Sequence, residues 1–317
     1  MKFFSKKKKI SAGLAISGRN YRYLSLEGLP GKFSVSEEFS GDIPEKYLTS
    51  EDPFSDAGAY LDSVFKLIAS SIPNVQCPVN FGLPISDSLL RIVNLPGMTL
   101  EEAKNAFRYE FENYFPFPAS EGVYDVAEIN YPLNGGKSER RFIVAATRRQ
   151  LIDNITRAAL ESGIKLESLE PAQIALERAA TPWHLFEESC VYIYVGHSRS
   201  VLILSWQGSG IFYRNITQGF SAELIAKGTE SDEYKDHLYL FARDARSTLQ
   251  FAISQNRSFE TKSVYIFGPA ASASLGEVLK ESLSYDTVMR VDPMKIHGLD
   301  LANNGEWDAA LGLAMRC

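Results

Sequence analysis

Behind a basic start, apolar positions return in three short runs: ISAGLAIS (10–17), YRYLSLEG (21–28) and GKFSVSEEF (31–39). GRN and LPG part them as turn signals, so the runs read as three strands. SDAGAYLDSVFKLIASSI (55–72) then sets Ala57, Leu61, Val64, Phe65, Ile68 and Ile72 at helical spacing, behind Ser55 or Asp56 as cap. QCPVNFGLP (76–84) reads as a short apolar strand, giving the order βββαβ. The same order returns later. CVYIYVG (190–196), SVLILSW (200–206) and GIFYRNITQ (210–218) predict three strands, and HLYLFARDARSTLQFAIS (237–254) a helix with Leu238, Phe241, Ala245, Leu249 and Ala252 on one face. SVYIFG (263–268) is a further strand and SLGEVLKESL (274–283) a helix. A meander beside a strand reached by a helical crossover, right-handed by rule, would thus occur twice.

Between the copies, residues 86–163 have another plan. SLLRIVNLP reads as a strand leading to Thr99-Leu100-Glu101-Glu102, a capping box that opens a helix. Ala103, Phe107, Phe111 and Phe115 line one face of that helix until PFP (116–118) stops it. YDVAEINYPL and RRFIVAATR predict two strands about an NGGKSE turn, and RRQLIDNITRAALESG a helix closed by Gly163. The aromatic stripe suits core packing, or otherwise a docking surface.

Apolar residues make up 45% of the 317 positions and charged ones 23%, as in a folded globular chain rather than a disordered one. A net charge of −6 argues against the broad basic face of a nucleic-acid binder. Basic charge is concentrated at the start, MKFFSKKKK, where Lys6, Lys7, Lys8 and Lys9 are candidates to face a membrane. That segment is either a solvated terminus or a weak tether to anionic lipid, at roughly 1 kcal/mol per lysine. It has no apolar run to make a signal peptide or a membrane span. Cys77, Cys190 and Cys317 are scattered, and His184, His197, His237 and His297 have no ligand spacing, so neither a disulfide frame nor a metal site is expected.

The doubled βββαβ order resembles the actin-like ATPase (ribonuclease-H-like) fold of actin, sugar kinases and bacterial FtsA. GLPISDSLLRIVNLPGMTLEEAKNAFRYEFENYFPFP is similar to the PilM stretch that enters an inserted subdomain, and ESGIKLESLEPAQIALERAA (161–180) to the stretch that returns from it. GEWDAALGLAMR (305–316) resembles the closing helix. GspL and MshI proteins share this plan, and a sequence without a membrane span sits nearer PilM. The resemblance implies an α/β fold of two duplicated lobes. A basic tail (1–10) precedes a first lobe (11–85 and 164–186, closed by 305–317), an inserted α/β subdomain (86–163) and a second lobe (187–304). It further implies a cytoplasmic scaffold, peripheral to the inner membrane, in a type IV pilus or related secretion machine. Its partners would be the cytoplasmic tail of a PilN-like membrane protein, pilus motor ATPases and platform proteins, with no nucleic acid.

Active members of the fold carry an aspartate in each lobe's first hairpin, then a small-residue turn whose amides hold phosphate while the acids position magnesium. Here Gly13-Leu14-Ala15-Ile16-Ser17-Gly18 places Ala15 at the first acid position, and Tyr194 stands at the second. One carboxylate–cation pair at 4 Å is worth about 4 kcal/mol at an effective dielectric of 20. Two losses should therefore weaken Mg-ATP by orders of magnitude. Ser17, Gly18, Gly196, His197, Ser198 and Gly268 remain candidates to line a degenerate cleft, with Arg199 beside them. Glu170, the nearest water-orienting acid, is not expected to be catalytic without a metal. The reading is a scaffold with no cofactor and no catalytic residue. The alternative is an actin-like ATP-binding enzyme that uses ATP and magnesium through backbone groups and substitute residues.

Overall fold

The first apolar runs form strands β1 (Ile10–Ser17), β2 (Asn20–Leu29) and β3 (Lys32–Asp42), followed by helix α1 (Ala57–Ser71) and β4 (Val79–Leu83). The inserted stretch forms β5 (Leu89–Pro96), α2 (Leu100–Tyr114), β6 (Gly122–Ile129), β7 (Glu139–Arg148) and α3 (Arg149–Ser162). The chain returns through β8 (Leu166–Pro171) and α4 (Ala172–Ala180). The second copy comprises β9 (Ser189–Val195), β10 (Ser200–Trp206), β11 (Ser209–Ile216), α5 (Ala222–Ala226), α6 (Asp232–Gln255), β12 (Ser263–Phe267), α7 (Ala273–Leu283) and β13 (Thr287–Arg290). Short helices α8 (Pro293–Ile296) and α9 (Asp308–Ala314) end the order. This computed structural model describes residues 10–29, 31–45, 57–72, 77–129, 131, 139–182, 189–261, 263–302 and 304–316. Lys6–Lys9, Ser55, Asp56, His184, Cys317 and the turn at 134–138 lie outside them.

Two five-stranded sheets repeat one topology, β3-β2-β1-β4-β8 and β11-β10-β9-β12-β13, and a third sheet runs β5-β7-β6. In each copy the first strand pairs antiparallel with the second and parallel with the strand after the helix. The sequence pattern does not mark the edge strands β8 and β13. LESLEP alternates without a strong apolar face, and TVMR is half-buried to exposed, so neither carries the pattern of a buried strand. The closing helix is also shorter than the expected 305–316.

By compactness the described chain divides into a unit within 1–83, 154–183 and 293–317 and a unit within 84–153 and 184–292. These divisions differ from the boundaries 86–163 and 187–304 read from sequence. The inserted sheet belongs with the second copy because both its faces are buried. On β7, Phe142, Val144 and Ala146 face the cluster made with Phe107, Phe111 and Phe115 of the α2 stretch. The alternate residue Ile143 packs with Ile92, Ile129 and Tyr131 against the core of β9, β10 and α6. The stripe at 107, 111 and 115 is thus core, and α2 opens on the expected capping box, with Thr99 and Glu102 capping each other reciprocally. Arg141, also on β7, donates from Nη2 to Asn256 Oδ1 at 2.6 Å and stacks 4.8 Å from the Tyr131 ring centroid. Burial holds its guanidinium below the ordinary arginine range.

In the first unit, Met294 and Leu299 pack with α9 rather than with the second copy, joining Leu311, Leu313 and Met315 in one cluster. That packing depends on close backbone approach. A Cβ at Gly312 would lie 1.8 Å from the Ala175 carbonyl oxygen on α4, and one at Gly13 would lie 2.2 Å from the Ala310 oxygen. Backbone cannot yield as a flexible side chain can. Gly312→Ala should therefore cost about 2 kcal/mol or more, read as a lower urea midpoint for the first unit.

His297 supplies a second test. Its Nε2 lies 2.9 Å from the Ala179 carbonyl and must carry the proton, which leaves buried Nδ1 as an acceptor without a partner. Burial pushes the imidazole below its usual value, with the Ala179 bond a smaller opposing effect. The unfolded chain takes up a proton near pH 6.5 and the folded chain only at lower pH. Stability conferred by the neutral ring is therefore intact above about pH 6.5 and declines as pH falls toward the lower folded value. Thermal melts between about pH 7.5 and about pH 5.5 should show this loss, and His297→Gln should flatten it.

Candidate functional site

In the second unit β9 and β12 are parallel neighbours, with Tyr194 beside Phe267 at their carboxyl ends. Ligands of open α/β sheets bind beyond such ends. β9 is buried from Cys190 to Val195 and β12 at Val264, Ile266 and Phe267, so side-chain chemistry is best presented where the strands run out. The chain leaves β9 through Gly196-His197-Ser198-Arg199, and β10 resumes at Ser200, opposite Val195. It leaves β12 at Gly268, whose φ of +104° suits glycine.

The predicted residues Gly196, His197 and Gly268 meet here, with Ser198 exposed on the turn. The Tyr194 ring lies between the two glycines. A Cβ at Gly268 would stand 2.9 Å from ring atoms Cδ2 and Cε2, and one at Gly196 would stand 3.0 Å from Cε1. The ring is 8% exposed and meets Phe267 edge-on at 5.5 Å between centroids. Both glycines also approach backbone: their Cβ atoms would lie 2.3 Å from the Arg199 oxygen and 2.6 Å from the Val195 oxygen, respectively. Internal packing alone therefore requires glycine at both positions.

The turn's polar groups are turned inward. Gly196 O accepts from Phe220 N at 3.0 Å, and Val195 O accepts from Ala270 N at 3.1 Å. His197 Nδ1 lies 3.0 Å from the Phe220 carbonyl. A carbonyl only accepts, so Nδ1 carries the proton. The same reasoning places the proton of His237 on Nε2, 2.7 Å from the Gly219 oxygen. Gly219 and Phe220 were not singled out in the sequence. A Cβ at Gly219 would come within 2.6 Å of the Gly196 oxygen, a contact that only the folded loop reveals.

The corresponding hairpin of the first unit holds Ser17 and Gly18. It turns in two residues, with Ser17 opposite Asn20 and Gly18 at a φ of +58°. Both predicted residues are exposed, and a Cβ at Gly18 would meet nothing within 4 Å. Ala15 is buried against the cluster of α9. Glu170 is the nearest acid considered earlier, and it is 5% exposed. Arg178 grips it with both terminal nitrogens at 2.7 and 3.0 Å, and Arg316 adds a bond of 2.9 Å. Arg178 also donates to Gly312 O at 2.7 Å, so this carboxylate helps hold the closing helix in place.

Ala15 and Tyr194 offer no carboxylate, and Glu170 is occupied by two guanidinium groups. Among the described residues no group of three or more His, Cys, Asp or Glu side chains could hold a metal ion. Nor is any described helix long and apolar enough to cross a membrane.

No protein-family model matches the chain, and no curated protein matches it. Solved structures do. A chain of the PilM-PilN type IV pilus biogenesis complex is 21% identical, with a TM-score of 0.75 over 96% of this chain and 98% of that one. The ethanolamine utilization protein EutJ from Carboxydothermus hydrogenoformans is 11% identical, with a TM-score of 0.52 over 97% and 89%. The cytoplasmic domain of EpsL, an inner membrane component of the type II secretion system of Vibrio cholerae, is 12% identical, with a TM-score of 0.50 over 91% and 93%. At such identities the likeness establishes architecture. The chain has the actin-like ATPase fold, and the likeness to the chain of the PilM-PilN complex spans nearly its whole length.

Proposed function

We propose that this protein is a PilM-like scaffold of a type IV pilus or related secretion machine. It holds the cytoplasmic tail of a PilN-like inner-membrane protein rather than turning over ATP. The observation that carries this reading is the end-to-end likeness to a chain from the PilM-PilN complex. The likeness to the cytoplasmic domain of a type II secretion component supports the same setting. On this reading the protein works in the cytoplasm, peripheral to the inner membrane, with Lys6–Lys9 as the membrane-facing group. Pilus motor ATPases and platform proteins are its further partners.

The part of the proposal that excludes turnover draws on the site. Tyr194 fills the space between Gly196 and Gly268, and Ala15 is packed against the closing helix. Those glycines are explained by close packing, so nothing about them favours the nucleotide-enzyme alternative.

Calorimetric titration with the cytoplasmic tail of a PilN-like membrane protein from the same organism should give micromolar or tighter binding, unchanged by millimolar Mg-ATP. Absence of heat would count against the scaffold. Tyr194→Asp should destabilise the second unit by about 3 kcal/mol or more, because it removes a packed ring and buries a carboxylate. Mg-ATP should raise the melting temperature of neither this variant nor the native chain. A rise of several degrees in the native chain would restore the nucleotide reading.

A further inference from the structure

Two arginines of the second unit stand out for their placement. Arg91 lies on β5, an edge strand of the inserted sheet, and Arg214 on β11, an edge strand of the second five-stranded sheet. The two edges adjoin: Asn215 Nδ2, next to Arg214, donates to the Ile85 carbonyl at 2.8 Å. Each guanidinium sits over an aromatic ring. Arg91 is 5.9 Å from the Phe115 centroid, and Arg214 is 5.1 Å from that of Phe251. Both side chains are exposed. Arg91 donates to the carbonyl of Leu90 at 3.0 Å, and neither arginine forms an ion pair with a described residue. The two charges also act on each other, since partial burial and the Arg214 charge both hold Arg91 below the ordinary arginine range.

Arg22, Arg140, Arg148, Arg157 and Arg178 are each paired with an acid, whereas Arg91 and Arg214 are held on rings instead. In a chain of net charge −6, two adjoining guanidiniums without acids, each braced on a ring, form a preorganised receptor for negative charge. We propose that Arg91 and Arg214 form a docking site for an acidic peptide segment of a partner protein. The carboxylates lie against the two guanidinium edges, and an apolar side chain rests on Phe251, which is 47% exposed.

Magnitudes favour a peptide over other anionic partners. Two arginines would supply only about 2 kcal/mol at an anionic bilayer, against the repulsion of a net-acidic protein. A nucleic acid would need a longer basic track, since useful affinity comes from about 6–10 phosphate contacts. Two carboxylates can satisfy both arginines while relieving their mutual repulsion. The proposal does not depend on the scaffold reading, because it concerns a surface of one unit and needs no particular tail.

The probe is a fluorescent acetylated peptide, Glu-Asp-Leu-Phe-Asp-Glu-amide, titrated into the full chain by anisotropy. Its counterpart, with Gln and Asn in place of the acids, is titrated alongside. The acidic peptide should bind at least tenfold more tightly than the amide peptide and weaken as salt rises. The variants Arg91→Gln and Arg214→Gln should each weaken it several-fold, and the double variant at least tenfold. Arg214→Gln, at an exposed position, keeps the test valid if the double variant fails to fold. Equal binding of the acidic and amide peptides, no binding, or an affinity untouched by Arg214→Gln would overturn the proposal. So would an arginine-dependent preference for phosphatidylserine vesicles or single-stranded DNA, or loss of a self-association in the variants.

Discussion

The central strand of each five-stranded sheet is covered on both faces, and that burial governs what the protein can do. On β1 the residues from Ala12 to Ile16 are buried without alternation, and on β9 those from Cys190 to Val195. A strand buried in this way can expose chemistry only at its end. Side chains near the hairpin end of each strand are therefore the ones placed to present charge. Ala15 and Tyr194 present none. Tyr194 does more, because its ring takes up the space that two glycine turns leave at the ends of β9 and β12. A carboxylate in that place would need a cation to offset its desolvation. An aromatic ring needs only neighbours.

Glycines have a comparable part in the first unit. Gly13 and Gly312 let β1, α4 and α9 come to backbone contact, and Glu170 with its two arginines ties α9 from the side. The Glu170 carboxylate thus acts as a structural clamp. In the second unit the inserted sheet is bound on both faces by the alternation along β7, which turns Phe142 and Val144 one way and Ile143 the other. The insertion is thus part of one packed body with the second copy. Its edge strand carries Arg91 and adjoins the edge strand of that copy, which carries Arg214.

The duplicated order, the capped helix behind Thr99, the aromatic stripe and the missing acids at 15 and 194 were all legible along the chain. Each depends on neighbours within a few positions. Periodicity decides which face of a segment is apolar, a capping box closes within one turn, and a hairpin brings its own ends together. The strands β8 and β13 were not legible. They sit at sheet edges, where half-exposed positions blur the alternation that marks a buried strand.

Only the tertiary structure decided how those parts were used. Glycine in the sequence is compatible with a phosphate-holding turn or with close packing, and the atoms facing Gly196 and Gly268 reveal the close packing. Glu170 is separated from Arg316 by 146 positions, and Arg91 stands 123 positions before Arg214. No local pattern encodes such pairings. Local sequence determines which segments become strands and helices. Contacts between distant segments determine whether a side chain is a ligand, a clamp or a filler, because desolvation and partner charge exist only once those segments have met.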